Sequence, residues 1–480
     1  MLRHKNTINI SDLKDFFTSS EKVISKLFSL LSSLTVSLSD VFAHNDKPNT
    51  LYRGVNKLMV LVLFPFFEIK NTGDYQSSVL HQFLGGGKDL FYRLLNDEDM
   101  AWRKLLYRMN VRLINRVKRR TGISQDERCL IVDDTDLPKR GRQMELIGKI
   151  YSHVTHTFNL GFKGLFLGYH DGGSFYGLDF SLHGEKGKNE KKPYGLTKKE
   201  LKGRYGKTRA KGSCGYERKE EYFRSKIGQL IVMVRGAIGK GIRFDYLLAD
   251  SWFTCFELIH FIKTRRIGCH FIGMIKMGNT HYAYNGKSLT SKEIAADLNK
   301  KRKARHSKKL KCYYSEACVD FKGHEVKLFF CRYSKRAKWN GLLSTNTALN
   351  FEDAYRIYSK RWTIEVFFKE CKQYLRLGKC QSQDFDAQIA SASICVMQYN
   401  LLAVIKRFEG YETMGELFRK AQADTLELTV CDRIWQIIIE LLSELAIIFD
   451  LEYELLMEKM LSENEQLTKI ANLEIRTQTG

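Results

Sequence analysis

Cys129–Thr135 reads CLIVDDT, and Phe244–Trp252 reads FDYLLADSW. Each is a short aliphatic run that closes on acid. Runs of four or five apolar residues bounded by polar ones describe strands buried on both faces, and open α/β sheets place their chemistry at the carboxyl ends of such strands. The carboxylates so placed are Asp133 and Asp250. Asp134 competes with Asp133 for the first position, because adjacent strand residues face opposite ways.

A third acid comes from Tyr358–Lys372, which reads YSKRWTIEVFFKECK. The stretch predicts one continuous helix. At about 100° per residue, Tyr358, Arg361, Glu365 and Lys372 fall within an arc of roughly 60°. Ile357, Ile364, Phe368, Cys371 and Leu375 form the adjoining apolar stripe. A solvated face pairing Arg361 with Glu365 at i,i+4 has the same spacing. The other reading is an acid that holds a hard cation, set beside two cations and a phenol that grip phosphate oxygens. In-line phosphoryl transfer commonly uses two metal ions roughly 3.5–4 Å apart, which one carboxylate cannot hold. Two strand-end aspartates and a helical glutamate supply the set.

With these residues in place, the chain resembles the DDE transposases of the insertion-sequence-four family, whose helix motif is Y-x2-R-x3-E-x6-K. Tyr358, Arg361, Glu365 and Lys372 match every letter, Arg361-Trp362-Thr363-Ile364-Glu365 matches the Arg-Trp before the Ile-Glu pair, and Asp133-Asp134-Thr135 matches a D-x-T strand end. Ala249-Asp250-Ser251-Trp252-Phe253 matches the stretch around the second acid. The resemblance covers roughly residues 120 to 390. It implies an RNase H-like α/β core and a cut-and-paste reaction at terminal inverted repeats, by way of a hairpin intermediate. It further implies that Asp133, Asp250 and Glu365 coordinate two Mg²⁺ ions, with Mn²⁺ an expected substitute. The D-x-T match favours Asp133 over Asp134. Tyr358, Arg361 and Lys372 are expected to bind phosphates, and Trp362 to stack on an extruded base. Double-stranded DNA and a second copy of the chain, in a homodimer at paired ends, are the implied partners.

Composition agrees. The chain has 480 residues, enough for two to four domains, and a net charge of +24 that implies a polyanionic partner. No signal-type leader is visible, and the apolar stretch from Leu58 to Phe67 is short and broken by Pro65, so a soluble cytoplasmic protein of bacteria is expected. Eleven cysteines without a C-x-x-C pair signal neither a zinc ribbon nor a disulfide framework.

Five segments follow. Residues 1–120 read as a helical DNA-binding region, with two short helices expected around Gly85-Gly86-Gly87. Residues 121–276 hold the first part of the core: a strand ending at Asp133, strands at His156–Tyr169 and Ser174–His183, a helix at Tyr222–Gly239, a fourth strand at Tyr246–Asp250, a helix at Cys255–Thr264 and a fifth strand at Cys269–Lys276. The motif helix is expected beside the first and fourth strands. Gly184–Arg218, rich in Gly, Lys and Arg, reads as a long loop. Residues 277–350 form a β-rich insertion with a basic run at 300–306 and a hairpin turning at Lys322-Gly323-His324. Residues 351–385 bring the motif helix, and 386–480 a helical region whose aliphatic run Ile437–Leu442 suits a core helix or a subunit interface. Two alternatives share parts of this pattern: an RNase H-like nuclease without strand transfer, and a non-catalytic DNA-binding derivative, which would be expected to have lost an acid.

Overall fold

Up to residue 122 every regular element among the described residues is a helix, as the lack of strand alternation predicts. The computed structural model describes residues 22–427 apart from 36–37, 45, 47–49, 123, 266 and 302, together with 441–442. It divides into two compact units, Met1–Met100 with Val404–Gly480, and Ala101–Ala403.

In the first unit, α1 (Val23–Thr35), α2 (Gly54–Leu63), α3 (Leu80–Leu84) and α4 (Asp89–Leu95) accompany a helix at 414–427. The core is aromatic: Tyr75 lies edge-on to Phe91 at 4.7 Å and Phe66 lies 5.4 Å from Phe418. A helix leaves its first N–H groups without internal partners. For α1 the buried carboxylate of Asp424 accepts from Val23 N at 2.7 Å. The expected pair of short helices is α3 and α4, turned by Gly85 (φ 51°) and Gly86 (φ 75°) in backbone that favours glycine. The expected run Ile437–Leu442 lies outside the described residues except for Leu441 and Leu442.

The second unit begins with α5 (Trp102–Thr121). β1 (Cys129–Pro138), β2 (Gly148–Ser152), β3 (Thr157–His170) and β4 (Phe175–His183) follow. Next come α6 (Lys198–Lys202), α7 (Cys214–Phe223), α8 (Lys226–Gly239), β5 (Tyr246–Ala249), α9 (Phe256–Thr264) and β6 (His270–Ile275). The chain continues through β7 (His281–Tyr284), β8 (Lys287–Thr290), α10 (Ser291–Lys300), β9 (Arg305–Ser307), β10 (Cys312–Phe321), β11 (His324–Arg332) and β12 (Asn340–Ser344). It closes with α11 (Phe351–Ser359), α12 (Trp362–Tyr374) and α13 (Phe385–Glu409), whose residues from Val404 on count with the first unit. One sheet runs β2-β3-β1-β5-β6-β12-β11-β10-β7-β8, with β4 paired to β3 and β9 to β10. β1 is antiparallel to β3 and parallel to β5, which is parallel to β6. This mixed sheet flanked by helices is the predicted RNase H-like core. Cys129, Leu130, Ile131 and Val132 are fully buried, as a central parallel strand requires.

Several boundaries differ from the sequence reading. β1 does not end at Asp133 but runs on to Pro138, because β3 continues to pair with it through Pro138↔Gly161 after β5 has stopped. β2 is an additional edge strand. The helix expected over 222–239 is two helices, since Ser225 caps α8 by accepting from Gly228 N at 3.1 Å. The β-rich insertion is present and continues the core sheet, β12 lying antiparallel to β6. Its hairpin turns on Lys322 (φ 53°) and Gly323 (φ 87°), the two-residue turn with positive φ at both positions that suits the strand twist. Arg302 of the basic run lies outside the described residues.

The expected loop over 184–218 contains α6, with a Thr197–Glu200 capping box, and the start of α7. Within it the Arg209 side chain is fully buried. Its guanidinium donates to Glu145 at 2.7 Å through both terminal nitrogens, and to Asp386 at 3.0 Å. Helix α13 is long and apolar enough to cross a bilayer, but 94% of its apolar window is buried in the protein. It is a core helix.

Candidate active site

β5 pairs with β1 only as far as Val132↔Ala249. Asp133 and Asp250 are therefore the next residues on two neighbouring parallel strands, at a point where the ladder opens beside a strand that continues. Side chains alternate along β1. Asp133 and Thr135 face the motif segment: Arg361 Nη1 donates to Asp133 Oδ2 at 3.0 Å, and Lys372 Nζ to Thr135 Oγ1 at 2.7 Å. Asp134 faces the other way and pairs with Lys226 Nζ at the first turn of α8.

The motif segment is not one helix. α11 ends at Ser359 and α12 starts at Trp362, with Lys360 and Arg361 in a turn between them. No proline or glycine marks this break. Its cause is local tightening: Arg361 N bonds to Tyr358 O and Ile364 N to Arg361 O, three residues back, while Ser359 and Thr363 hydroxyls donate to the carbonyls of Arg356 and Lys360. The apolar stripe is as predicted, with Ile357, Ile364, Phe368, Cys371 and Leu375 all buried. It packs differently, however. Phe367 and Phe368 meet Phe166 of β3 edge-on and Phe367 lies tilted against Phe175 of β4, so α12 packs over β1, β3 and β4.

Arg361 is the hinge of the site's charge. Its Nη1 meets Asp133 and its Nη2 meets Glu365, so one guanidinium bridges two of the three acids. Burial opposes its charge, but Tyr358, Glu365 and Asp133 more than offset that and hold it protonated. Burial and then the neighbouring Asp250 carboxylate push Asp133 up to about 7 despite Arg361. Asp250 Oδ1 accepts from Trp252 N at 2.9 Å and Phe253 N at 3.2 Å, which fixes its side chain in a turn. Burial lifts the Tyr358 phenol to about 12, and burial lowers Lys372. Trp362 is 61% exposed.

The structure thus brings Asp133, Asp250, Tyr358, Arg361 and Glu365 together, while Lys372 lies further along β1 on Thr135. Among the described residues no three His, Cys, Asp or Glu side chains form a ready-made metal cage. Arg361 lies between Asp133 and Glu365. The donor chemistry nonetheless fits a hard divalent cation, since all three acids offer carboxylate oxygen.

Three contributors escaped the sequence reading. Glu127 binds Arg356 at 2.7 Å and Lys360 at 3.3 Å, which ties the motif segment to the chain entering β1. Hydrogen bonding from Arg356 holds the Glu127 carboxyl down at about 2. Lys226 and Trp252 are the others. Lys226 Nζ lies 4.6 Å over the Trp252 ring while pairing with Asp134. The only local signal was Trp252 standing two residues after Asp250.

Behind Asp134, the buried His183 shares a 2.7 Å hydrogen bond with Ser181. Burial and then Lys226 push it down to about 4 from 6.5. A histidine kept neutral in the fold binds fewer protons than in the unfolded chain, so its contribution is intact above pH 6.5 and is lost as pH falls toward 4. His183→Gln keeps a partner for Ser181 and cannot charge. Urea unfolding should show the wild type losing on the order of 2–3 kcal/mol relative to this variant across that window. Parallel pH curves for the two proteins would refute the assignment.

Residues 227–401 match the family model described as a transposase DDE domain, and residues 80–291 match that of a DDE superfamily endonuclease. Both matches support a DDE transposase, and hence an enzyme. No curated protein matches the chain. Among solved structures it is similar to a piggyBac transposase synaptic complex with hairpin DNA, at 14% identity over 88% of this chain and 80% of that chain, with a TM-score of 0.42.

Proposed function

We propose that the chain is the transposase of a bacterial insertion sequence, which binds the element's terminal inverted repeats, cuts there and joins the ends to target DNA. The observation that carries this reading is the side-by-side placement of Asp133 and Asp250 at the opening of the β1–β5 ladder, with Glu365 tied to Asp133 through Arg361. The two Mg²⁺ ions that Asp133, Asp250 and Glu365 would hold supply, when bound, activation of water or a DNA 3′-hydroxyl and charge relief on the leaving oxygen, with Mn²⁺ an expected substitute. The protein's own groups do the rest. Arg361, the cation already seated between Asp133 and Glu365, is placed to turn toward a phosphate, where its planar fork suits two oxygens. Lys372, held on Thr135, contributes a point charge at the far end of the same face. Tyr358 stays protonated and donates a hydrogen bond to a phosphate oxygen. Trp362 stacks on a base unpaired at the element end, as a hairpin intermediate requires. Two copies act on the paired ends.

The test is a cleavage and joining assay with Mg²⁺ and duplexes taken from the DNA flanking the reading frame. Cutting followed by joining supports the proposal; cutting without joining leaves a nuclease, and retention alone a binding protein. Arg361→Ala should weaken binding of the end duplex by about tenfold, the worth of one charge-assisted contact. Unchanged binding and turnover would discard its phosphate role.

A further inference from the structure

Five tryptophans occur in the chain, and two of them stand exposed beside the acids. Trp362 opens α12, while Trp252 follows Asp250 and is 48% exposed. Exposed aromatics are ordinary on a protein surface, and these two are set apart by their place beside the acids. Trp252 is also fixed. Its backbone N–H donates to Asp250 Oδ1 at 2.9 Å, so its position is locked to that carboxylate. Its ring meets Phe253 nearly edge-on at 4.8 Å and carries the Lys226 ammonium 4.6 Å from its centre. Lys226 in turn pairs with Asp134, the residue that shares β1 with Asp133 but faces the opposite side. A relay of Asp134, Lys226 and Trp252 therefore runs around the rim of the site and ends on an indole that keeps nearly half its surface in solvent.

We infer that Trp252 is a stacking platform for a second unpaired nucleobase, beside the scissile phosphate and distinct from the base assigned to Trp362, with Asp134 acting through Lys226 to hold the ring in place. The inference rests on the reading of the chain as a DNA-cutting transposase and adds a contact that reading does not contain. Indole stacks on any base, since every base has a π-face, so the platform is indifferent to sequence. The Lys226 ammonium over the ring adds a cation–π contact that holds the indole in place. Asp134 gains a role without being a metal ligand: it is the anchor that keeps Lys226 over the ring.

The test compares cutting of two duplexes from the DNA flanking the reading frame, one fully paired and one mismatched at the base pairs adjoining the cut. Trp252→Ala should slow cutting of the paired duplex roughly 5- to 100-fold, the worth of one base stack, and Trp252→Phe should restore most of it. The mismatched duplex should be cut by the alanine variant at nearly the wild-type rate, because the unpairing step no longer needs help. In the mismatched duplex, where the base is unpaired with either protein, a 2-aminopurine at the adjoining position should be dimmer on binding wild type, whose indole stacks on it, than on binding the alanine variant. An alanine variant that cuts the paired duplex normally, or is slowed equally on both duplexes, overturns the platform alone. A wild-type protein that cuts neither duplex overturns the transposase reading and takes the platform with it.

Discussion

Glu365→Gln and Asp133→Asn should each reduce DNA cutting by about a thousandfold or more, because a lost carboxylate removes several kcal/mol of charge stabilisation at a metal-assisted phosphoryl transfer. Binding of the end duplex should change little in either variant. The informative control is Asp134→Asn. Asp134 adjoins Asp133 in sequence, yet it faces α8 and pairs with Lys226, whereas Asp133 faces Arg361. Its loss should slow cutting only to the extent that the Trp252 ring loosens, far less than the loss of Asp133. Single-turnover rates with Mg²⁺ decide the matter. Equal loss from the two aspartate variants would show that strand alternation does not assign the first acid, and undiminished cutting by Glu365→Gln would remove that residue from the chemistry.

The parts of this site that were legible in the sequence are those whose cause is local. Four consecutive apolar residues before Asp133 write a buried strand, and the apolar stripe from Ile357 to Leu375 writes a packed helical face. Both are present. The break at Lys360 and Arg361 was not legible, because it comes from Ser359 and Thr363 back-bonding and from three-residue hydrogen bonds rather than from a proline or glycine. Nor was the continuation of β1 past Asp133, which depends on the length of β3 and the early end of β5. The joining of the β-rich insertion to the core sheet is likewise a non-local event, fixed by pairing of Leu343 with Gly273. Composition misled most over residues 184–218, where abundant Gly, Lys and Arg read as a long loop while Arg209 sits among acids that arrive from elsewhere in the chain.

That arginine gives the largest stability effect expected in the molecule. Arg209 joins Glu145, which precedes β2, to Asp384 and Asp386 at the start of α13, with Lys207 at 2.8 Å from Asp386 and Lys219 at 3.2 Å from Glu145 completing the set. Arg209→Ala leaves three nearly buried carboxylates to two lysines, and breaking a buried pair from one side typically costs about 3–5 kcal/mol. The pH dependence has a definite sign. Arg209 helps hold Glu145 below its ordinary 4.5 against the cost of burial, so the stability it confers is present above that value and is lost as pH falls through the lower folded value. The deficit of the alanine variant should therefore be full near neutral pH and shrink on acidification, as the orphaned carboxylates take up protons. Urea unfolding at neutral and acid pH checks both parts. A deficit below about 1 kcal/mol would reduce the cluster to the level of a surface ion pair, and a deficit constant with pH would mean that the lost packing of the arginine stem, not its charge, sets the cost.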